Sequence, residues 1–182
     1  KNCIFEENTT SHFGGSIMIQ RSAKPTLRGC QFTANQAEGD GGAIFCDQDS
    51  KPKIENCTFT GNISSAGNGG ALYLYRSIPT ITNCIFSNNN ANDGFGAAIY
   101  IDDSNGLTLN NCSFSINQAK KGGATYIHDS PGVEFRQCKF LSNQGDQGGA
   151  LYINEANVQN QPTTLQNCIF WNQSAYSGGA IY

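Results

Sequence analysis

Charge is scarce in this chain of 182 residues: Lys and Arg number 11, Asp and Glu 14, and the basic residues are scattered over the whole length. A protein that binds phosphate backbones needs a basic stripe, so nucleic acid is excluded as a partner. Long apolar runs are also missing, the longest being a few residues. A helix crossing a bilayer needs about 20, so no membrane span lies within this segment. The eight cysteines include no C-x-x-C pair. Zinc is held by ligands converging at such short spacings, so neither a metal nor any other cofactor is expected.

What the chain has instead is a refrain. Asn56-Cys57-Thr58-Phe59-Thr60-Gly61-Asn62 is followed by Gly69-Gly70-Ala71-Leu72-Tyr73-Leu74, and the pair of phrases returns from end to end. Its cysteine falls at Cys3, Cys30, Cys57, Cys84, Cys112, Cys138 and Cys168, spacings of 27, 27, 27, 28, 26 and 30 residues. Such a period is the signature of a solenoid, in which each unit buries its apolar face only against its neighbours. The 21 glycines and the abundant Asn describe turn-rich β structure. Residues 1–182 therefore read as one all-β solenoid of about seven coils. With no initiator Met, targeting segment or polar cap, the chain is expected to be an excerpt of a longer array whose further repeats are its first partners.

Asking which alternate positions stay apolar divides each repeat into three short strands separated by corners. The first strand carries Cys and Phe two apart, as Cys3/Phe5, Cys30/Phe32, Cys57/Phe59, Cys84/Phe86, Cys112/Phe114, Cys138/Phe140 and Cys168/Phe170. A period of two puts both inside as the structural core. The second strand is the Gly-Gly-Ala-Ile-Tyr-Ile phrase, with Ile44/Cys46, Leu72/Leu74, Ile99/Ile101 and Leu151/Ile153 inward, so its Ala and its aromatic are expected to face outward. The second Gly of each pair sits at an inward corner with room for little more than a hydrogen. The third strand runs through Pro52/Ile54, Pro79/Ile81, Leu107/Leu109 and Val133/Phe135, and bends at the residue before each Cys, such as Asn56, Asn83 and Asn111.

Another corner holds Asn8, Asn35, Asn62, Asn89, Asn117 and Asn143, each three residues after its Phe. Coils stacked about 4.8 Å apart would pile these amides into a ladder, each donating to the carbonyl of the next. The last copy breaks step, with Asn172 two residues after Phe170 and Gln173 three after. Length varies only before the Gly pair and before the Pro, longest from Asn154 to Pro162, and these stretches read as surface loops.

A tandem array of C-x-F-x-x-N and G-G-A-[IL]-Y resembles the repeats of the chlamydial polymorphic outer-membrane proteins and of large extracellular proteins of other bacteria and of protists. The resemblance covers nearly the whole chain. It implies a right-handed parallel β-helix, related in shape to pectin lyases, and for the bacterial members a surface adhesin. Ser16-Ile17-Met18 in the first Gly-Gly phrase, Gly96-Ala97 in the fourth and the displaced last Asn depart from the pattern.

Three features of this frame could carry chemistry. The seven stacked cysteines could pair as disulfides, as extracellular cysteines often do; in-register side chains point the same way, however, and the preferred torsion near 90° is hard to reach between them, which favours a ladder of small buried thiols. Cys46 reads as a substitute for Ile. Asp102-Asp103 and His128-Asp129 fall at matching places in successive coils, near where pectin-cleaving β-helices carry acidic and histidine residues. Paired carboxylates and an imidazole suit acid and base work on a polysaccharide, while the plainer reading is a set of solvated turn residues. Phe45, Tyr73, Tyr100, Tyr126 and Tyr152 form an outer aromatic ridge that suits binding of sugar or protein or, alternatively, cross-rung stacking. Of the five N-x-S/T sequons, at Asn8, Asn56, Asn62, Asn111 and Asn172, all lie at corner Asn positions; inward amides accept glycan poorly, so Asn172 is the expected acceptor in a eukaryotic secretory source.

The expected function is a non-catalytic structural or adhesive segment of a large secreted or cell-surface protein, meeting neighbouring surface proteins or glycans. The alternative is a polysaccharide-active enzyme or carbohydrate-binding solenoid of the pectin-lyase type.

Overall fold

The computed structural model describes residues 1–154 and 161–182; the expected long loop from Asn154 to Pro162 therefore falls largely outside the described residues. All the described strands are parallel to their partners in the coils above and below, and each coil returns to the same place one repeat later. Phe32 pairs with Phe59, Phe59 with Phe86 and Phe86 with Phe114, so the sequence period is the register.

Among the described residues, four sheets wall the solenoid where three were expected, with seven, five, six and six strands. The additional sheet follows the corner Asn and comprises Thr9–Thr10, Gln36–Ala37, Ile63–Ser64, Asn90–Phe95 and Gln118–Lys121. Two-residue strands in a stretch of variable length leave too little alternation to be seen as a pattern, so this stretch reads as loop from sequence alone.

The Cys-x-Phe stripe faces inward as expected. Cys30, Phe32, Cys57, Phe59, Cys84, Phe86, Cys112, Phe114, Cys138 and Phe140 are buried. Phe5, Cys168 and Phe170 are only partly buried and Cys3 is exposed, a correction to their assignment as enclosed core, because in the outermost described coils the stack is covered from one side. The Ala of the Gly-Gly-Ala phrase is also corrected: Ala43, Ala71, Ala98, Ala124 and Ala150 are fully buried and belong to the main apolar cluster. They sit in the bend just before the strand, where the period of two has not yet begun.

The Gly pair divides two tasks. Gly69 has φ of 65°, the left-handed region that glycine enters without strain. Gly70 faces inward, and a β-carbon there would run into the carbonyl oxygens of Asn90 and Ala97. Elsewhere, left-handed corners are built from non-glycine residues, as at Asn56, Asn83, Asn111 and Gln137, with φ of 53°, 54°, 51° and 54°.

Candidate functional site

The corner Asn residues form a continuous hydrogen-bonded ladder. Asn8 Nδ2 donates to Asn35 Oδ1 at 2.8 Å, and the chain of amides continues through Asn62, Asn89, Asn117 and Asn143. Each carbonyl also accepts the backbone N–H of the preceding Asn, and the second amide proton goes to a Phe carbonyl one coil back, as from Asn62 to Phe32 at 3.0 Å. Every polar atom of the buried side chains, Asn35 to Asn143, is thereby satisfied, which burial demands. Gln173 takes the last rung, accepting from Asn143 Nδ2 at 3.1 Å while Asn172 points away. A second ladder, of Ser50, Ser77, Ser104 and Ser130, escaped the sequence reading. Its signal was a Ser recurring at spacings of 27, 27 and 26 residues in an otherwise variable stretch.

The eight cysteines are free thiols. Those of the ladder donate to main-chain carbonyls, Cys57 Sγ to Glu55 at 3.3 Å and Cys84 Sγ to Thr82 at 3.3 Å. Burial pushes the Cys46 thiol up to about 12. Such thiols are neutral packing groups. Among the described residues no three His, Cys, Asp or Glu side chains converge as metal ligands.

Asp102 and His128 stand opposite each other in the parallel register, between Tyr75 and Asn154. Burial raises the Asp102 carboxyl above the usual range, opposed by the nearby His128 and by a hydrogen bond from Tyr73. Asp103, at a left-handed corner, takes Arg76 Nε at 2.8 Å. His128 lies 4.0 Å from Asp129 through Nε2 and 3.3 Å from Asn154 Nδ2 through Nδ1. The register brings the four candidates onto adjacent coils, and three of them, Asp102, Asp103 and Asp129, line a shallow, open depression bordered by Tyr75, Asn105 and Pro131, while His128 stays outside the lining. The depression offers three carboxylates for acid–base work, one of them, Asp103, engaged by Arg76, with the His128 imidazole beside Asp102 in the next coil.

The aromatic ridge does lie on the outer side of its strand, and its rings stack from coil to coil. Centroids are 5.2 Å apart for Phe45 and Tyr73, 5.0 Å for Tyr73 and Tyr100, 5.1 Å for Tyr100 and Tyr126, and 4.9 Å for Tyr126 and Tyr152. Its expected exposure is corrected. Phe45, Tyr100 and Tyr126 retain only 7%, 8% and 5% of their surface, because side chains from the preceding corner lie over the ridge. Phe13 stacks on Phe45 and Phe95 on Tyr126, and the Lys121 ammonium sits 4.9 Å above the Tyr152 ring. The sequons are corrected too: Asn62 is buried, but Asn8, Asn56 and Asn111 are exposed along with Asn172, so exposure does not single out Asn172.

With coils, ladders and register in view, comparison with known families gives one match: residues 1–140 fit the right-handed β-helix region family. The chain belongs to that family. No match is found among curated proteins or among solved structures. As a β-helix, the chain has a fold compatible with structural roles and with enzyme-like ones, since one architecture hosts many functions.

Proposed function

We propose that this β-helix is a non-catalytic, rigid segment of a large secreted or cell-surface protein, of the kind that the resemblance to chlamydial surface repeats implies, and that it meets other proteins or glycans along its sides. The observation that carries the reading is the unbroken Asn ladder, which ties each coil to the next through buried, fully satisfied amides and so resists bending and slippage. Lateral ion pairs act in the same sense, Arg28 with Glu55 and Arg76 with Asp103, each joining adjacent coils. A stalk or adhesive wall requires that stiffness, and the external columns remain free to vary without disturbing it.

The second reading, a polysaccharide-active enzyme, is favoured by one observation, the raised Asp102 carboxyl beside His128. Incubation of the purified chain with pectin, other plant glycans and host glycans decides between them. We expect no new reducing ends and no unsaturated products. Cleavage that disappears in Asp102→Ala and His128→Ala would replace the structural reading with the catalytic one.

A further inference from the structure

The corner before the Gly pair changes character along the molecule. Two residues before the first Gly, three successive coils carry Gly39, Gly67 and Gly94, and a β-carbon at Gly67 would come within 2.6 Å of the Gly39 carbonyl carbon. Side chains have no room there. The next three coils carry Lys120, Asp146 and Tyr176 at the same place, held in register by bridges from Lys121 to Gln147 and from Gln147 to Ser177. The change opens a groove of about 360 Å³ lined by Phe95, Lys120, Lys121, Asp146, Gln147 and Tyr176, with mostly apolar walls.

Packing fixes its chemistry. Phe95 is held by its stack on Tyr126, 5.0 Å between centroids, and Lys121 Nζ is wedged between the Phe95 and Tyr152 rings at 5.5 and 4.9 Å. Tyr176 has 92% of its surface exposed, while its backbone N–H is anchored to the Asp146 carbonyl at 3.0 Å. Phe95 and Tyr176 lie three coils apart, about 14 Å by the rung spacing, the span of a short oligosaccharide. Lys120 is paired with Asp93 at 3.1 Å, so with Lys121 and Asp146 the formal charges around the groove cancel.

We propose that this groove is a binding subsite for a neutral oligosaccharide laid along the helix axis, a reading that rests on the adhesive function above and names its ligand class. A pyranose ring has an apolar C–H face suited to an aromatic wall and a rim of hydroxyls suited to ammonium, carboxylate and amide groups. An apolar peptide would desolvate Lys121 and Asp146 without pairing them, and a polyanion would meet Asp93 and Asp146.

Isothermal titration of the purified chain with cello-, chito-, malto- and mannotetraose provides the test. At least one should bind, and Tyr176→Ala, which alters an exposed side chain, should weaken it about tenfold or more, while Trp171→Ala, at an exposed ring on the Cys-x-Phe sheet, leaves it unchanged. No binding by any of the four, or binding indifferent to Tyr176→Ala, overturns the subsite. Preferential, salt-sensitive binding of tetragalacturonate overturns its neutral character. Beads coated with the chain separate this proposal from the reading beneath it: wild-type adhesion to cells together with titration indifferent to Tyr176→Ala sinks the subsite alone, and wild-type beads that fail to adhere despite intact titration sink the adhesive function alone.

Discussion

Two stacks of aromatic rings run along the molecule at one period and differ in their surroundings. The inner stack, from Phe5 through Phe32, Phe59, Phe86, Phe114 and Phe140 to Phe170, has centroid spacings of 4.6–5.1 Å and rings within 7° of parallel. The outer stack of Phe45 and the tyrosines has almost the same geometry, with spacings of 4.9–5.2 Å. The sheet backbone sets both periods, since strands pair at about 4.8 Å. What differs is enclosure. Phe59 is walled by apolar side chains on all sides, whereas the outer rings are covered only where a corner sends a side chain across them. Equal stacking therefore does not mean equal stabilisation.

The sharpest test of that difference is a pair of truncations. Phe59→Ala should destabilise by about 3–5 kcal/mol through lost burial and an unfilled cavity. Tyr73→Ala, at a ring of the outer stack that is only half-buried, should cost about 1–3 kcal/mol. Denaturant unfolding followed by circular dichroism measures both. Equal losses would mean that stacking, and not enclosure, sets the stability.

The two columns of corner amides extend the comparison from rings to polar groups. Asn62→Ala would leave the Asn35 N–H and amide, the Phe32 carbonyl and the Asn89 carbonyl oxygen each short of a partner, for roughly 2–4 kcal/mol. Asn56 is exposed and lies on an outer ladder, accepting from Asn83 Nδ2 at 3.2 Å. Asn56→Gly keeps its left-handed φ and should stay within about 0.5 kcal/mol. A loss at Asn56 comparable to that at Asn62 would show that the outer ladder also bears the stack.

Legibility followed the same divide. The inner stripe could be read from Cys and Phe two apart, because burial tolerates few residue types and the spacing leaves one orientation. The Asn ladder could be read because an Asn recurs three residues after the Phe of each repeat but the last, and an amide both donates and accepts along a stack. The outer columns could not. Whether Tyr100 is exposed depends on which residue the neighbouring corner contributes, and the strand Asn90–Phe95 is made of residues that elsewhere form turns. The site candidates Asp102 and His128 were legible as neighbours from their matching repeat positions, but the pairing of Asp103 with Arg76 required the coil-to-coil geometry.

Strain at the corners offers a smaller contrast. Ile116 is a β-branched residue with φ of 55° and 62% of its surface exposed, so it carries backbone strain with little burial in return. Ile116→Gly should stabilise by up to about 1 kcal/mol, the relief of left-handed strain exceeding the entropy that glycine adds to the unfolded chain. A lower melting temperature for this variant would mean that the exposed Ile116 side chain contributes more than its backbone loses.

The smallest effect separates the stacks by their response to pH. Tyr73, in the outer stack, lies in the field of Asp40 and Asp102, and burial raises both carboxyls above the usual range. A carboxylic acid with a raised folded pKa binds its proton more tightly when folded. Its contribution to stability is therefore present below the unfolded value near 3.9 and is lost as pH climbs through the folded value. Acidification from pH 7 toward 4 should favour the folded state through these two groups. The lowered Glu55 carboxyl, bonded by Lys53 and Arg28, acts in the opposite sense, so the effect is best isolated by difference. Asp40→Asn keeps an oxygen to accept the Asn68 N–H, at 2.7 Å in the wild type, while removing the charge. The variant should melt above the wild type at pH 7, with the gap closing by about pH 4. A gap independent of pH would show that the outer stack, like the inner one, does not sense protons.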